Sequence, residues 1–323
     1  MLDLFFIAVG LTGLVWSSDK FVEGAAAIAN HAGMPPLLIG MTIVSLGTSA
    51  PEIVVSLMAS LSGSGELAVG NALGSNITNV GLVLGVTLII REIAIDASAT
   101  KRELPQMLIV TLLAGALMVD GSLSATDGAL LLSGLVLFLV LLARRGDTET
   151  SQTTGPPTLP VAKAWGVFTV GLVLLVLSSR TLVFGAVNIA TALGVSELVI
   201  GLTIVAIGTS LPELAASVMS ALKGHADIAV GAIVGSNVFN LLVVLAIPGI
   251  FGPLSLNPSV MSRDWPVTLL TAGVLMLLAA LAFKRSEPSS RGSNELGRVS
   301  GVLLVTIYTT YMGILIFYPD FAL

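Results

Sequence analysis

The sequence contains no cysteine, only two histidines and few charged residues. Without cysteine it can form neither a disulfide bond nor a thiolate metal site. The two histidines, His31 and His225, both lie near predicted loops, so no ligand set favours a softer transition metal. Charged residues make up 10% of the 323 residues, against about 25% in soluble proteins. This scarcity excludes an ordinary soluble domain, and we expect no nucleic-acid partner and no cofactor.

Apolar residues fill most of the chain. They account for 55% of it, and the mean hydropathy is +1.00. Stretches of about 20 residues, enough to cross a bilayer, recur from end to end. We therefore predict an all-α polytopic membrane protein with ten transmembrane helices. Their predicted bounds are about 4–30, 36–61, 66–90, 104–119, 126–143, 161–192, 197–222, 227–247, 264–283 and 299–317. We expect the second helix to break near Gly47–Pro51 and the third at Gly74–Asn76.

Basic residues indicate how these helices are oriented. If the N-terminus faces outside, eleven of the 14 Lys and Arg residues fall in inner loops, and only Arg263 falls in an outer loop. The remaining two, Lys20 and Arg180, lie within helices. An excess of Lys and Arg on the cytoplasmic side is the general rule for membrane proteins. We therefore expect a protein of the cell (inner) membrane with both termini outside and the polar segment 144–160 in the cytoplasm.

The chain also contains an internal repeat. Adding 161 to each residue number aligns Ser17–Asn79 without a gap with a second segment that ends at Asn240, and roughly half of the aligned positions are identical. Five predicted helices separate the copies, and because five is odd the halves must have opposite orientations. We expect two inverted five-helix repeats, residues 1–143 and 161–323, joined by the linker 144–160. Inverted repeats are typical of secondary transporters, whose substrates bind near the midplane between the halves.

One motif, Gly-Thr-Ser-x-Pro-Glu, occurs in both repeats, at residues 47–52 and 208–213. Its proline removes a backbone N–H and clashes with the carbonyl group four residues earlier, so each helix should open and free carbonyl oxygens. Its last residue places a carboxylate, Glu52 or Glu213, at membrane depth, where an acid is costly and usually marks an ion pathway. Carboxylate, hydroxyl and carbonyl oxygens suit hard cations, so the pattern predicts a site for Na⁺, Ca²⁺ or protons.

Hydroxyl and amide side chains follow each motif. Ser75 and Asn79 are four residues apart, as are Ser236 and Asn240, and residues with this spacing share a helical face. We expect these four side chains, with Asn76 and Asn237, to complete the cage of oxygen ligands around the cation. The structural alternatives are an acid paired with a base, hydroxyl groups bonded to carbonyl groups of their own helix, and asparagines that join helices. The first has little support, because no Lys or Arg is predicted at comparable depth in the four helices concerned.

The paired motifs, each followed 22 residues after its glutamate by Gly-Ser-Asn-x-x-Asn, resemble the two α-repeats of the sodium/calcium exchanger family. The resemblance covers both repeats and implies ten helices, of which the first and sixth slide to expose either side. It implies that Glu52 and Glu213 are the central ligands of Ca²⁺ and Na⁺. The other ligands that it implies are Thr48, Thr209, Ser49, Ser210, Ser75 and Ser236, the carbonyl groups of Ser45 and Ala206, and the middle pair Asn79 and Asn240.

The resemblance implies an antiporter, not an enzyme, that exchanges Ca²⁺ for Na⁺ by alternating access. Some relatives have Asp where this chain has Asn240, which leaves two acids in the site and argues against K⁺ cotransport. A Ca²⁺/H⁺ antiporter that uses the same acids, and a cation channel, are the alternatives. We expect the protein to be a monomer in the lipid bilayer. Asp19, Lys20 and Glu23 in the first helix are expected to form interfacial salt bridges and not to bind ions.

Overall fold

The computed structural model describes residues 2–95, 99–146, 159–194, 206–285 and 295–318. Helices dominate it. In the first half they are α1 (Leu2–Ala32), α2 (Pro36–Ile39), α3 (Ser45–Thr48), α4 (Ala50–Leu61), α5 (Gly65–Thr78), α6 (Gly85–Ile90), α7 (Leu104–Met118) and α8 (Ala125–Gly146). In the second half they are α9 (Val161–Ala192), α10 (Ala206–Thr209), α11 (Leu211–Leu222), α12 (Ala226–Phe239), α13 (Ala246–Phe251), α14 (Trp265–Arg285) and α15 (Arg298–Phe317).

Within the described residues, five single π-turns widen the helices, and four two-residue strands join loops. The π-turns are π1 (Gly40–Val44), π2 (Asn79–Leu84), π3 (Ala99–Glu103), π4 (Asn240–Val244) and π5 (Val260–Asp264). The strands are β1 (Ile93–Ala94), β2 (Ser122–Leu123), β3 (Leu254–Ser255) and β4 (Glu295–Leu296). Strand β1 pairs antiparallel with β4, and β2 with β3. These short pairs join loops, whose backbone groups thereby satisfy each other's hydrogen bonds, and the described chain is mostly helical, as predicted.

The described residues contain seven helices that are long and apolar enough to cross a membrane, or eight if the bent pair Pro36–Thr48 and Ala50–Leu61 is one span. Ten spans were predicted. The fourth predicted helix is present as π3 and α7, but it is not among the helices that meet this criterion. Most of the first half of the seventh predicted helix lies outside the described residues. The chain is thus a helical integral membrane protein, while the full count of ten stays a prediction.

The expected break in the second helix is confirmed. Its two parts meet at Ser49 and are bent by 44°, as Pro51 requires. The expected break at Gly74–Asn76 is wrong, because α5 runs through these residues to Thr78. A glycine costs a helix about 1 kcal/mol relative to alanine but removes no backbone donor, so burial of α5 outweighs it. The irregularity comes later, at π2.

The elements of the first half recur in the second at the sequence offset of the repeat. Residues 50–61 of α4 correspond to 211–222 of α11, and residues 65–78 of α5 to 226–239 of α12. The correspondence extends beyond the region of obvious sequence identity, since β1 and π3 are followed 161 residues later by β3 and π5. The repeat therefore governs backbone structure as well as sequence.

Helices α1 and α9 pack along each other in opposite directions. A Cβ atom at Gly24 would lie 2.5 Å from the backbone N of Phe168, and one at Gly185 would lie 2.6 Å from the carbonyl oxygen of Asp3. These glycines let the two backbones approach closely, as small residues do in membrane bundles. Near the Asp3 end, Asn188 donates a hydrogen bond of 2.9 Å to the Asp3 carboxylate. The pair therefore forms one continuous unit.

The centre of the bundle is formed by the continuous spans 65–90 and 226–251. The most hydrophobic windows of these spans are 72% and 94% buried by protein, against 22% for α1 and α9. The segment from α2 to α3 packs directly on α12, where a Cβ atom at Gly231 would lie 2.3 Å from the carbonyl oxygen of Leu37. The two central spans carry the predicted asparagines and therefore position the site.

Candidate ion-binding site

Two glutamates lie buried at the two helix breaks. Glu52 and Glu213 are each 1% exposed and sit in the first turns of α4 and α11, directly after Pro51 and Pro212. Both oxygens of Glu52 and Oε2 of Glu213 lack a hydrogen-bond partner in the described part of the chain. A buried acid kept for stability would be paired with a base, so this arrangement is unlike a structural ion pair.

Hydroxyl groups from each break face the acid of the other. Ser49 Oγ donates to Glu213 Oε1 at 3.2 Å, and the Thr48 side chain also approaches Glu213. The Thr209 side chain approaches Glu52 in the same way. The two carboxylates lie close enough to repel each other, so a cation between them would remove a repulsion that the ion-free protein must tolerate.

Most of the predicted hydroxyl and amide ligands are buried in the same part of the fold. Ser75, Ser236, Asn79, Asn240, Ser49, Ser210, Thr48 and Ser45 are all at most 5% exposed. Several of their polar atoms have no hydrogen-bond partner among the described residues. These atoms are Ser210 Oγ, Ser236 Oγ and the carboxamide oxygen and nitrogen of Asn79 and Asn240. A buried polar group without a partner costs about 1–3 kcal/mol. A cluster of them around two acids fits hard cations, which are bound by oxygen ligands.

The carbonyl groups are less free than the proline argument suggested. The Ser45 carbonyl accepts a hydrogen bond from the Ser49 N–H at 2.9 Å and another from Thr48 Oγ1 at 3.4 Å. The Gly208 carbonyl, four residues before Pro212, accepts one from Ser179 Oγ of α9 at 2.8 Å. Ala206 is the first residue of α10. Its carbonyl group and that of Ser45 thus stay predicted ligands only.

Sequence reasoning missed two polar residues that support this site, Asn71 and Ser56, and it expected Asn76 among the cage residues, where its carboxamide instead binds a backbone carbonyl group. Asn71 Nδ2 donates to the backbone carbonyl of Glu52 at 3.1 Å. Ser56 is 0% exposed and Asn76 is 2% exposed, and both reach across to the second repeat. The spacing of four between Glu52 and Ser56, which places them on one helical face, was the available signal. No comparable signal pointed to Asn71.

A bundle of membrane-spanning helices around buried, unpaired acids defines the class of the protein as a polytopic integral-membrane ion transporter. The family model described as "Sodium/calcium exchanger protein" matches residues 2–144 and 163–317. The chain therefore belongs to the sodium/calcium exchanger protein family, a family of transmembrane antiporters and not of enzymes.

Proteins similar along their whole length carry related names. "Putative antiporter CaxA" of Alkalimonas amylolytica is 44% identical over 96% of this chain and 97% of that protein. "Inner membrane protein YrbG" of Escherichia coli is 40% identical over 96% of this chain and 95% of that protein. "Sodium/calcium exchanger MaX1" of Methanosarcina acetivorans is 28% identical over 98% of this chain and 99% of that protein.

A solved structure shares the fold. The sodium-calcium exchanger NCX_Mj, soaked with 2.5 mM Na⁺ and 0.1 mM Ca²⁺, superposes with a TM-score of 0.82 at 32% identity. The match covers 97% of this chain and 98% of that chain. The expected family is therefore confirmed, and with it an antiporter of the sodium/calcium exchange type.

Proposed function

We propose that the protein exports cytoplasmic Ca²⁺ in exchange for external Na⁺ by alternating access. The observation that carries this proposal is the pair of buried carboxylates, Glu52 and Glu213, which face each other without a basic partner among the described residues. Together they supply two negative charges, enough to offset one Ca²⁺, and the same oxygens can instead hold Na⁺. Competition for one set of ligands would couple the two fluxes.

We propose the remaining ligands as the resemblance assigns them. They are Thr48, Thr209, Ser49, Ser210, Ser75 and Ser236, the carbonyl groups of Ser45 and Ala206, and the pair Asn79 and Asn240. The hydroxyl groups that cross from one break to the acid of the other support this set. Two acids, and not three, favour exchange that does not require K⁺.

We also propose ten spans in two inverted repeats, residues 1–143 and 161–323, with both termini outside and the linker 144–160 in the cytoplasm. Equivalent helices of two halves with opposite topology must run in opposite directions, and α1 and α9 do so along their length.

An asymmetry between the repeats supports alternating access. Ala215 and Met219 of α11 pack against the buried cluster to which α1 contributes. Their repeat counterparts on α4, Val54 and Met58, are 46% and 61% exposed. Helix α1 therefore covers this face of α11 while the matching face of α4 is uncovered by protein, and such an asymmetry is expected of one end state of a two-state transporter.

The direct test is uptake of ⁴⁵Ca²⁺ into proteoliposomes loaded with Na⁺ and diluted into Na⁺-free buffer. We expect uptake that requires the outward Na⁺ gradient and that stops when an ionophore collapses it. Liposomes with an equivalent proton gradient and no Na⁺ serve as the comparison. Uptake driven by protons alone would replace Na⁺ coupling by the Ca²⁺/H⁺ alternative.

An ion pair should bias the protein toward the conformation observed. Lys223 Nζ at the end of α11 lies 2.8 Å from both Asp19 Oδ1 and the Asp19 carbonyl oxygen of α1. The repeat counterparts, Ser62 and Arg180, cannot form this pair. Asp19→Asn should therefore shift the population by about two- to fivefold toward the state in which α1 has left α11, the effect of a partly exposed pair worth up to about 1 kcal/mol.

The absence of native cysteine makes this shift measurable. In a Met219→Cys background, Asp19→Asn should raise the rate of labelling by an impermeant maleimide in inside-out vesicles. The control is Lys163→Gln, which removes an exposed charge from α9. Equal labelling in the presence and absence of Asp19→Asn would show that the pair has no part in closing this side.

The salt bridge that the sequence predicted within the first helix is confirmed, since Lys20 Nζ lies 2.8 Å from Glu23 Oε2.

A further inference from the structure

The two π-turns that carry the paired asparagines are held differently. Turn π2 begins at Asn79 and turn π4 at Asn240. A π-turn interrupts the regular i→i−4 hydrogen bonds of the helix, so backbone groups at its ends need other partners. Buried backbone groups are almost always paired, and the partners therefore show what fixes each turn.

The entry of π4 is held by a side chain of the first repeat. The carbonyl group of Asn237, one turn before Asn240, accepts a hydrogen bond from Asn76 Nδ2 at 3.1 Å. The reverse contact is not made. The Asn237 carboxamide instead donates to the Ile233 carbonyl of its own helix at 2.7 Å. Asn76 of the first repeat therefore holds the entry of π4 through a hydrogen bond between the two repeats, and we call such support a brace.

The exit of π4 is held by a second residue of the first repeat. The helical donor for the Val244 carbonyl would be residue 248, which is a proline and has no N–H. Ser56 Oγ of α4 donates to this carbonyl at 2.8 Å in its place. Ser56 and Val244 are both 0% exposed, so the bond is shielded from water.

The corresponding exit of π2 needs no such support. Position 87 is Thr where position 248 is Pro, and Thr87 Oγ1 donates to the Val83 carbonyl within its own helix at 2.7 Å. Ser217, the counterpart of Ser56, is left 0% exposed with its hydroxyl group unpaired among the described residues. One substitution between the repeats, Thr87 against Pro248, therefore explains why the exit of π4 is held from the other repeat and the exit of π2 is not.

We infer that Ser56 and Asn76 are positioning residues for the cation site, which hold π4 at both ends and thereby fix the carboxamide of Asn240. The inference rests on the proposed function, in which Asn240 is a ligand. Asn79, on the unbraced π2, keeps freedom to adjust between Na⁺ and Ca²⁺. The two members of the middle pair are therefore unequal, one rigid and one adaptable.

The first test compares matched serines in the full-length protein in proteoliposomes. Ser56→Ala should raise the KM for Ca²⁺ about five- to tenfold, as expected for the loss of one buried hydrogen bond, with Vmax within twofold. Ser217→Ala should leave both constants unchanged. Asn76→Ala should resemble Ser56→Ala. Equal effects of Ser56→Ala and Ser217→Ala would overturn the inference.

Two further variants distinguish positioning from a general structural role. Pro248→Ala restores an N–H donor for the Val244 carbonyl, so it should return the KM of Ser56→Ala to within twofold of wild type. In an Asn240→Ala background, Ser56→Ala should have no further effect, because residues that act through one group are not additive. Additive effects, or a failure of Pro248→Ala to rescue, would contradict the inference.

Hydrogen exchange keeps the inference testable even where transport is lost. In the ion-free protein, Ser56→Ala should speed exchange of the amides at 241–246 at least threefold without changing those at 80–85. Unchanged exchange at 241–246 would refute a brace on π4. If wild-type protein fails to take up Ca²⁺ under a Na⁺ gradient, the proposed function fails instead, and the exchange result still decides whether the brace exists.

Discussion

Glu52→Gln is expected to abolish Na⁺-driven Ca²⁺ uptake, and Glu213→Gln is expected to do the same. Each keeps the shape of the side chain but leaves one negative charge to face a divalent ion at a site that is 1% exposed. Removal of one member of a buried charge pair costs about 3–5 kcal/mol, which corresponds to a loss of Ca²⁺ affinity of more than about a hundredfold. The measurement is initial ⁴⁵Ca²⁺ uptake in proteoliposomes.

Stability separates this result from simple misfolding. Because the two carboxylates repel each other and the carboxylate oxygens of Glu52 have no hydrogen-bond partner among the described residues, Glu52→Gln should leave the ion-free Tm unchanged or higher. Added Ca²⁺ should no longer raise it. Glu66→Gln, at an exposed position in the first turn of α5, is the control and should behave as wild type. Robust exchange by either site variant would end the assignment of the two acids.

Gly235→Ala is expected to have the second largest effect. A Cβ atom at this position would lie 2.5 Å from Ser45 Oγ, 2.6 Å from the Met41 carbonyl oxygen and 2.7 Å from the Met41 Cα. Backbone atoms cannot rotate away, so α12 must separate from the segment π1–α3. That movement would displace Ser236, the next residue. Overpacking of this kind costs about 1–3 kcal/mol, and we expect uptake to fall at least tenfold with a lower Tm.

The same substitution at a different glycine provides the control. At Gly273 of α14, an added Cβ meets no heavy atom within 4 Å. An alanine within a helix is favoured over glycine by up to about 1 kcal/mol, so Gly273→Ala should keep both transport and Tm. Wild-type uptake by Gly235→Ala would show that the contact between π1–α3 and α12 tolerates expansion and does not set the geometry of the site.

Local chemistry made much of the fold predictable. The membrane class follows from 55% apolar and 10% charged residues, because only such stretches are stable in lipid. The bend at Ser49 follows from Pro51, since a missing N–H breaks a helix in any surroundings. The predicted bounds of the sixth helix, 161–192, match α9 (Val161–Ala192). By contrast, a break at Gly74–Asn76 was wrong, because glycine only permits a break and packing decided against one.

The amino-acid sequence by itself determined the repeat, the two helix breaks and the two acids, because each depends on covalent features of nearby residues. Only the tertiary structure decided which groups meet across about 160 residues of chain. It directs the Ser49 hydroxyl to Glu213, and it places Asn76 and Ser56 on π4 while π2 is left to its own helix. The physical reason is that two similar segments in one folded chain have different neighbours, and hydrogen bonds form with the neighbour that packing supplies.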